Sequence, residues 1–216
     1  MYLLPKARAL SASLLLTAVF STSSFGGLFS SDLPFSEKEV AQEIVKQAKA
    51  NDIDTRILFT LASTESDFKP LSIAIETSPA RAEILKSLAS KNIEVTAGKT
   101  FHSKIALVTL YPKDYPTAVF LITKLEELGF TYDVGLMQVN TCNFCLSETK
   151  KMLDPKSNIE KATKHFKVCQ KEFSSIKLQV ECYNRGAGNL RKMLKKGGNY
   201  FPYWKRYKEH WDRYFD

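Results

Sequence analysis

Histidine is scarce and scattered: His102, His165 and His210 are the three in 216 residues, too dispersed for a metal signature, so no metal or cofactor is expected. Cysteine is sparse too. Of the four, Cys142 and Cys145 form a lone CxxC, but no second CxxC or paired His supplies further zinc ligands and neither flank is thioredoxin-like. Long apolar runs are absent apart from Ala9 to Phe20, which falls well short of the roughly 20 residues that span a bilayer. No stable membrane span is expected. Internal repeats, low-complexity tracts and Gly/Ser linkers are also missing, so nothing divides the chain into separate domains. With 44% hydrophobic, 12% aromatic and 25% charged residues, the composition is globular and excludes disorder and collagen.

What is present begins with export. Lys6 and Arg8 precede the apolar run, and small residues around Ser24 to Gly26 suit signal peptidase, so residues 1–26 read as a cleaved signal peptide. The working chain is then 27–216, with a periplasmic location expected. Loss of Lys6 and Arg8 lowers the formal charge from +8 to +6. Because Cys142, Cys145, Cys169 and Cys182 all fall in an exported chain, disulfides are favoured over free thiols. Three pairings are possible; the expected ones tie the 142–145 segment onto the later helices carrying Cys169 and Cys182.

The pattern is predominantly helical. Ser36 to Glu39 is a capping box leading into a stripe of Val40, Ile44 and Ala48, and Asp54 caps a second helix closed by Lys69-Pro70. Ser78-Pro79 opens a third. Segments Ile93 to Thr96 and Ile105 to Tyr111 lean toward a small β-hairpin, and Pro116 opens a helix ending at Gly129. Ser157 to Glu160 reads as a second capping box. In the aromatic and basic tail, about 199–216, Tyr203, Tyr207 and Trp211 at four-residue spacing form a packing stripe; sugars stacking on the aromatic faces is the second reading, and a nucleic-acid grip the least favoured. No nucleic-acid partner is expected.

One polar residue breaks an apolar stripe. Ile57, Leu58, Leu61 and Ala62 recur at helical spacing, and Glu65 is next on that face, where burial would raise its pKa toward that of a general acid at neutral pH. Asp67 lies about 200° around the helix from it, so the two cannot form a facing pair.

Three separated motifs give Glu65 a context. Ser63-Thr64-Glu65-Ser66-Asp67-Phe68 resembles the helix end that carries the catalytic Glu in lysozyme-like (SLT-type) lytic transglycosylases. Gly135-Leu136-Met137-Gln138-Val139-Asn140 is very similar to that family's second motif, and Tyr183-Asn184-Arg185-Gly186-Ala187-Gly188 to its third. The resemblance implies a mainly α, lysozyme-like (α+β) single domain with a central insertion, about 71–131, that contains the small hairpin. The run Tyr132 to Leu136 after Gly129 looks like the subset that accompanies type IV secretion and conjugation machines. Cys182 stands where the family commonly has Ala, which fits an atypical disulfide, and Arg185 replaces a small residue and adds a positive group near the cleft.

The resemblance implies a chemistry. A single Glu65 would protonate the bond between N-acetylmuramic acid and N-acetylglucosamine, then serve as base toward the muramic acid C6 hydroxyl, giving 1,6-anhydro ends without water. By analogy, Ser66 would orient Glu65 or the substrate, Met137 and Gln138 would line the central subsite, and Tyr183 would hydrogen-bond near the Glu carboxyl. Asn140 and Asn184 would add sugar contacts. The partners implied are peptidoglycan glycan strands, whose stem-peptide carboxylates suit a basic protein, and proteins of an envelope-spanning secretion machine. Two alternatives stand beside this: a hydrolytic muramidase, and a noncatalytic peptidoglycan-binding assembly component. Asp133 could supply the second carboxylate of a hydrolase, but capping of the following turn is the expected role.

Overall fold

The computed structural model describes residues 35–99 and 104–216. The export signal read over residues 1–26, and His102, lie outside them. Helix α1, Glu37–Ala50, starts on the expected capping box: the Glu39 amide donates to Ser36 Oγ at 3.3 Å, and the Ser36 amide to Glu39 Oε2 at 2.7 Å. It buries Val40, Ile44 and Ala48.

Helix α2, Thr55–Ser66, begins where Asp54 accepts from the Arg56 amide at 2.9 Å. It ends at Ser66, short of the expected stop at Lys69-Pro70. The reason is local: Asp67 and Phe68 both take left-handed backbone, with φ of +51° and +60°. Such conformations cost non-glycine residues on the order of 1–3 kcal/mol each. Packing holds them there, since Phe68 is buried with its ring 4.7 Å from that of Phe59.

The next stretch alternates: β1 (Ile73–Thr77), α3 (Pro79–Lys86, capped by Ser78), β2 (Ile93–Lys99), β3 (Ala106–Pro112) and α4 (Tyr115–Glu127). The expected hairpin exists, with β2 and β3 antiparallel from Ile93 opposite Pro112 to Lys99 opposite Ala106. It is part of a larger sheet. β3 also pairs with β1, β1 with β4 (Asp133–Val134), and β4 with β5 (Val139–Asn140), giving the antiparallel order β2-β3-β1-β4-β5. The segment between the first two motifs is therefore continuous, through hydrogen-bonded strands, with the second motif itself. Ile73, Ile75, Val108, Leu110 and Val134 form the sheet's buried face.

Two 3-10 turns, Thr141–Asn143 and Leu146–Glu148, and the short α5 (Thr149–Met152) lead into α6 (Pro155–Glu172). The cap of α6 corrects the sequence reading: Asp154 is the N-cap, accepting from the Ser157 amide at 3.1 Å, and Pro155 fills the first turn. Ser157 lies inside the helix. The preset φ of Pro155, together with the preceding carboxylate, starts the helix earlier than a capping box at Ser157 would. Helices α7 (Ile176–Arg185), α8 (Ala187–Lys195) and α9 (Pro202–Phe215) complete the chain, and α9 packs on α2 and α7.

The cysteine pairing also differs from expectation. Cys169 of α6 bonds to Cys182 of α7, whereas Cys142 and Cys145 are exposed free thiols on the turns after β5. Adjacent helices bring the first two together in the core, which leaves the surface CxxC without a buried partner. Closing this short loop, at a sequence separation of 13, is worth about 3 kcal/mol in the chain-entropy description.

Candidate active site

The three motifs meet at one cleft of about 770 Å³, whose lining includes Glu65, Glu76, Asp133, Gln138, His165 and Asn184. Helix α2 supplies Glu65 from its last turn, half-buried as the stripe predicts. Burial pushes the Glu65 carboxyl up to about 7; the nearby Arg206 charge and a hydrogen bond from Tyr203 pull it down, and Asp133 pushes it further up.

Spacing places Tyr203 in a packing stripe and gives it no catalytic task. Its hydroxyl donates to Glu65 Oε1 at 2.5 Å. It gets there because α9 is pinned at its start by a fully buried carboxylate: Glu181 Oε1 accepts from the Trp204 amide at 2.8 Å, while Oε2 accepts from Arg185 Nε at 2.7 Å. Ser63 Oγ and His210 Nδ1, 2.7 Å apart, join α9 to α2 farther along. The expected stripe of Tyr203 and Tyr207 is indeed buried. Its first member also has a polar task that spacing alone does not reveal.

Tyr203→Phe is expected to raise the Glu65 pKa, because the phenol stabilises the ionised form and its loss removes one hydrogen bond to a charge. The midpoint of Glu65 titration, followed by NMR, should move toward higher pH by about one pH unit. A midpoint that stays near that of the wild type would count against the contact.

The second motif forms a tight turn held from several sides. Gly135, with φ of +84°, donates its amide to the Ser72 carbonyl at 2.8 Å, and Gln138, with φ of +46°, closes the turn onto the Gly135 carbonyl at 3.1 Å. Gln138 lines the cleft, but its amide nitrogen donates to the carbonyls of Gly135 at 2.7 Å and Ser72 at 3.1 Å. Ser66 Oγ donates to the Leu136 carbonyl at 2.7 Å, so this serine clamps the end of α2 to the turn.

One expected substrate contact takes another place. The Met137 side chain is fully buried rather than lining the cleft. Tyr183 lines the same cleft as Glu65 and donates its hydroxyl to the Met137 carbonyl at 2.7 Å. Burial keeps the phenols of Tyr183 and Tyr203 well above their usual pKa, so both remain donors. Asn140 and Asn184 do reach the cleft.

Asp133 does not cap the following turn. It sits in β4, lines the cleft, and accepts from Asn140 Nδ2 at 2.8 Å. Burial raises its carboxyl to about 6, against the Asn140 hydrogen bond and with the Glu76 charge. Asn158, absent from the sequence-based site, fixes the whole turn: fully buried, it accepts from the Met137 amide at 2.7 Å and donates to the carbonyls of Val134 at 2.8 Å and Met152 at 2.9 Å. Reading Ser157 to Glu160 as a cap concealed it. Glu76 had a legible signal, since alternation along Ile73–Thr77 turns Ala74 and Glu76 away from the buried isoleucines.

The opposite wall, on α6 and α7, is basic. Lys161, Lys164 and Arg185 line it. Arg185 is tied to Glu181, and Lys164 pairs with Glu160 at 2.6 Å. A neutral acid with one oxygen occupied by a phenol, facing a polar cleft, can protonate a leaving oxygen and afterwards accept a proton.

A family model described as Transglycosylase SLT domain matches residues 42–202. The helical body with its small antiparallel sheet is that family's lysozyme-like α+β fold. No curated protein and no solved structure matches the chain.

Proposed function

The chain belongs to the Transglycosylase SLT domain family, and from that membership and the cleft we propose that it cleaves the β-1,4 bond between N-acetylmuramic acid and N-acetylglucosamine in peptidoglycan without water. The observation that carries this reading is Glu65, held by Tyr203 in the cleft with its pKa lifted to about 7 by burial. Tyr203 occupies Oε1, which leaves Oε2 for the substrate. The acid gives its proton to the glycosidic oxygen as the C1–O4 bond breaks. The carboxylate then takes the proton of the muramic acid C6 hydroxyl as the C1–O6 bond forms. One proton has moved from O6 to O4 through Glu65, and no water is consumed.

Further parts of the proposal rest on the sequence. The signal read over residues 1–26 and the Cys169–Cys182 bridge support a periplasmic working place. The run Tyr132 to Leu136 supports local wall remodelling for an envelope-spanning secretion machine. The basic α6 wall suits stem-peptide carboxylates.

A hydrolytic reading is favoured by one specific observation, the half-buried Asp133 in the same cleft, which could position an attacking water. Mass spectrometry of digested peptidoglycan separates the two. Anhydro ends are the expected product; a digest with reducing ends alone would make the enzyme a muramidase.

A further inference from the structure

We propose that the substrate cleft continues beyond Asp133 across the open face of the sheet, where the chain binds further sugar residues of a long glycan strand. This rests on the glycan-cutting reading above. The argument starts from register. Asn140 is opposite Asp133, Asp133 opposite Ala74, Ala74 opposite Thr109, and Thr109 opposite Thr96. Cross-strand partners share a face, so these five residues form one row across all five strands. At about 4.8 Å between strands the row is roughly 19 Å long, room for several pyranose rings.

The row is continuous with the cleft, because Asn140, Asp133 and Glu76 on this face all line it. The opposite face, with Ile73, Ile75, Val108 and Leu110, is fully buried, whereas this one carries residues that are half-buried (Ala74, Leu107, Thr109) or exposed (Glu76, Glu94, Thr96). Within the row the side chains beyond Asp133 are short: Ala74 and Thr109 are half-buried and Thr96 is exposed; Leu107 and Tyr111 flank Thr109 on the same face, Lys69 Nζ lies 4.0 Å from the centre of the Tyr111 ring, and Gly98 has open space where a Cβ would be. A flat surface bearing hydroxyls and an amide matches a polysaccharide better than an apolar helix.

Charge selects the sugar backbone over the stem peptides. Glu76, Glu94 and Asp133 share this face through the same register, against Lys69 over the Tyr111 ring, and their excess negative charge repels carboxylates. An uncharged glycan lies against them without that penalty, and its peptides then project toward Lys161 and Lys164 on the other wall.

The experiment compares turnover of long, uncrosslinked glycan strands with that of a peptidoglycan tetrasaccharide, using the full working chain. Thr109→Arg places a bulky charge in the middle of the row and should lower the long-to-short turnover ratio about tenfold, chiefly through KM. Thr96→Arg, on the exposed edge strand where no packing is lost, should lower it by a smaller factor. Circular dichroism verifies that each variant is folded. An unchanged ratio in folded Thr96→Arg and Thr109→Arg, or an equal loss on both substrates, overturns the extended face while leaving the function intact. If wild type cuts neither substrate, or Glu65→Gln cuts both as wild type does, the glycan-cutting reading fails and the extended face with it.

Discussion

Glu65→Gln is expected to lower peptidoglycan turnover by a factor of about a thousand or more, with long-strand binding retained, because the proposed acid and base are one group. Glutamine keeps the size of the side chain and can still accept from the Tyr203 hydroxyl, so the variant should fold. What it loses is the proton that must reach the leaving oxygen and the site to which the C6 proton must go. Residual activity near that of the wild type would remove Glu65 from the mechanism and leave the family fold as a wall-binding module.

The pH dependence follows from the same carboxyl. Its folded pKa of about 7 lies above the ordinary Glu value, so the neutral acid predominates below that point and turnover should fall as pH rises through it. The stability linkage has the same sign. A carboxyl whose pKa is raised by folding makes the native state bind more protons than the unfolded one between the two pKa values, so it lowers stability progressively from about pH 4 to about pH 7. Glu65→Gln should therefore be more stable than wild type above pH 7 and little different at pH 4. Greater stability with lost turnover is the pattern expected of a functional group held in an unfavourable place.

Local rules made much of this architecture legible. Caps at Ser36, Asp54 and Ser78, and the period that puts Glu65 on an apolar face, act within a few residues, so they can be read from the chain. Long-range partnerships cannot be read that way. Tyr203 reaches Glu65 from 138 residues away because Glu181 fixes the start of α9, and no pattern near either residue encodes that meeting. The disulfide escapes local reading for a similar reason: four cysteines permit three pairings, and the packing of α6 on α7 chooses. The second and third motifs meet through the Met137 carbonyl, which accepts from the Tyr183 hydroxyl and which no side chain of either motif advertises.

Gly135→Ala tests how tightly this arrangement is built, and it is expected to cost about 3 kcal/mol or more of stability. Gly135 has φ of +84°, and an added Cβ would lie 2.3 Å from Asn158 Nδ2 and 2.4 Å from the Met152 carbonyl oxygen. Neither neighbour can step aside freely. Asn158 is fixed by its bonds to Met137, Val134 and Met152, and the Met152 carbonyl is backbone at the end of α5. The methyl would have to push α6 away from the turn that carries the second motif, so the damage should reach Glu65 through Ser66, which is clamped to the Leu136 carbonyl. Asn158→Ala in the same chain removes one of the two clashes, so the pair should cost less than the sum of the single changes, although the Met152 contact and the positive φ prevent full rescue. Gly188→Ala provides the contrast. That glycine lies inside α8 with nothing within 4 Å of a Cβ, so alanine there should stabilise by about 0.5–1 kcal/mol. Urea unfolding of the five chains (wild type, Gly135→Ala, Asn158→Ala, their double variant and Gly188→Ala) measures both signs, and equal midpoints for Gly135→Ala and wild type would show that the turn has room the geometry denies.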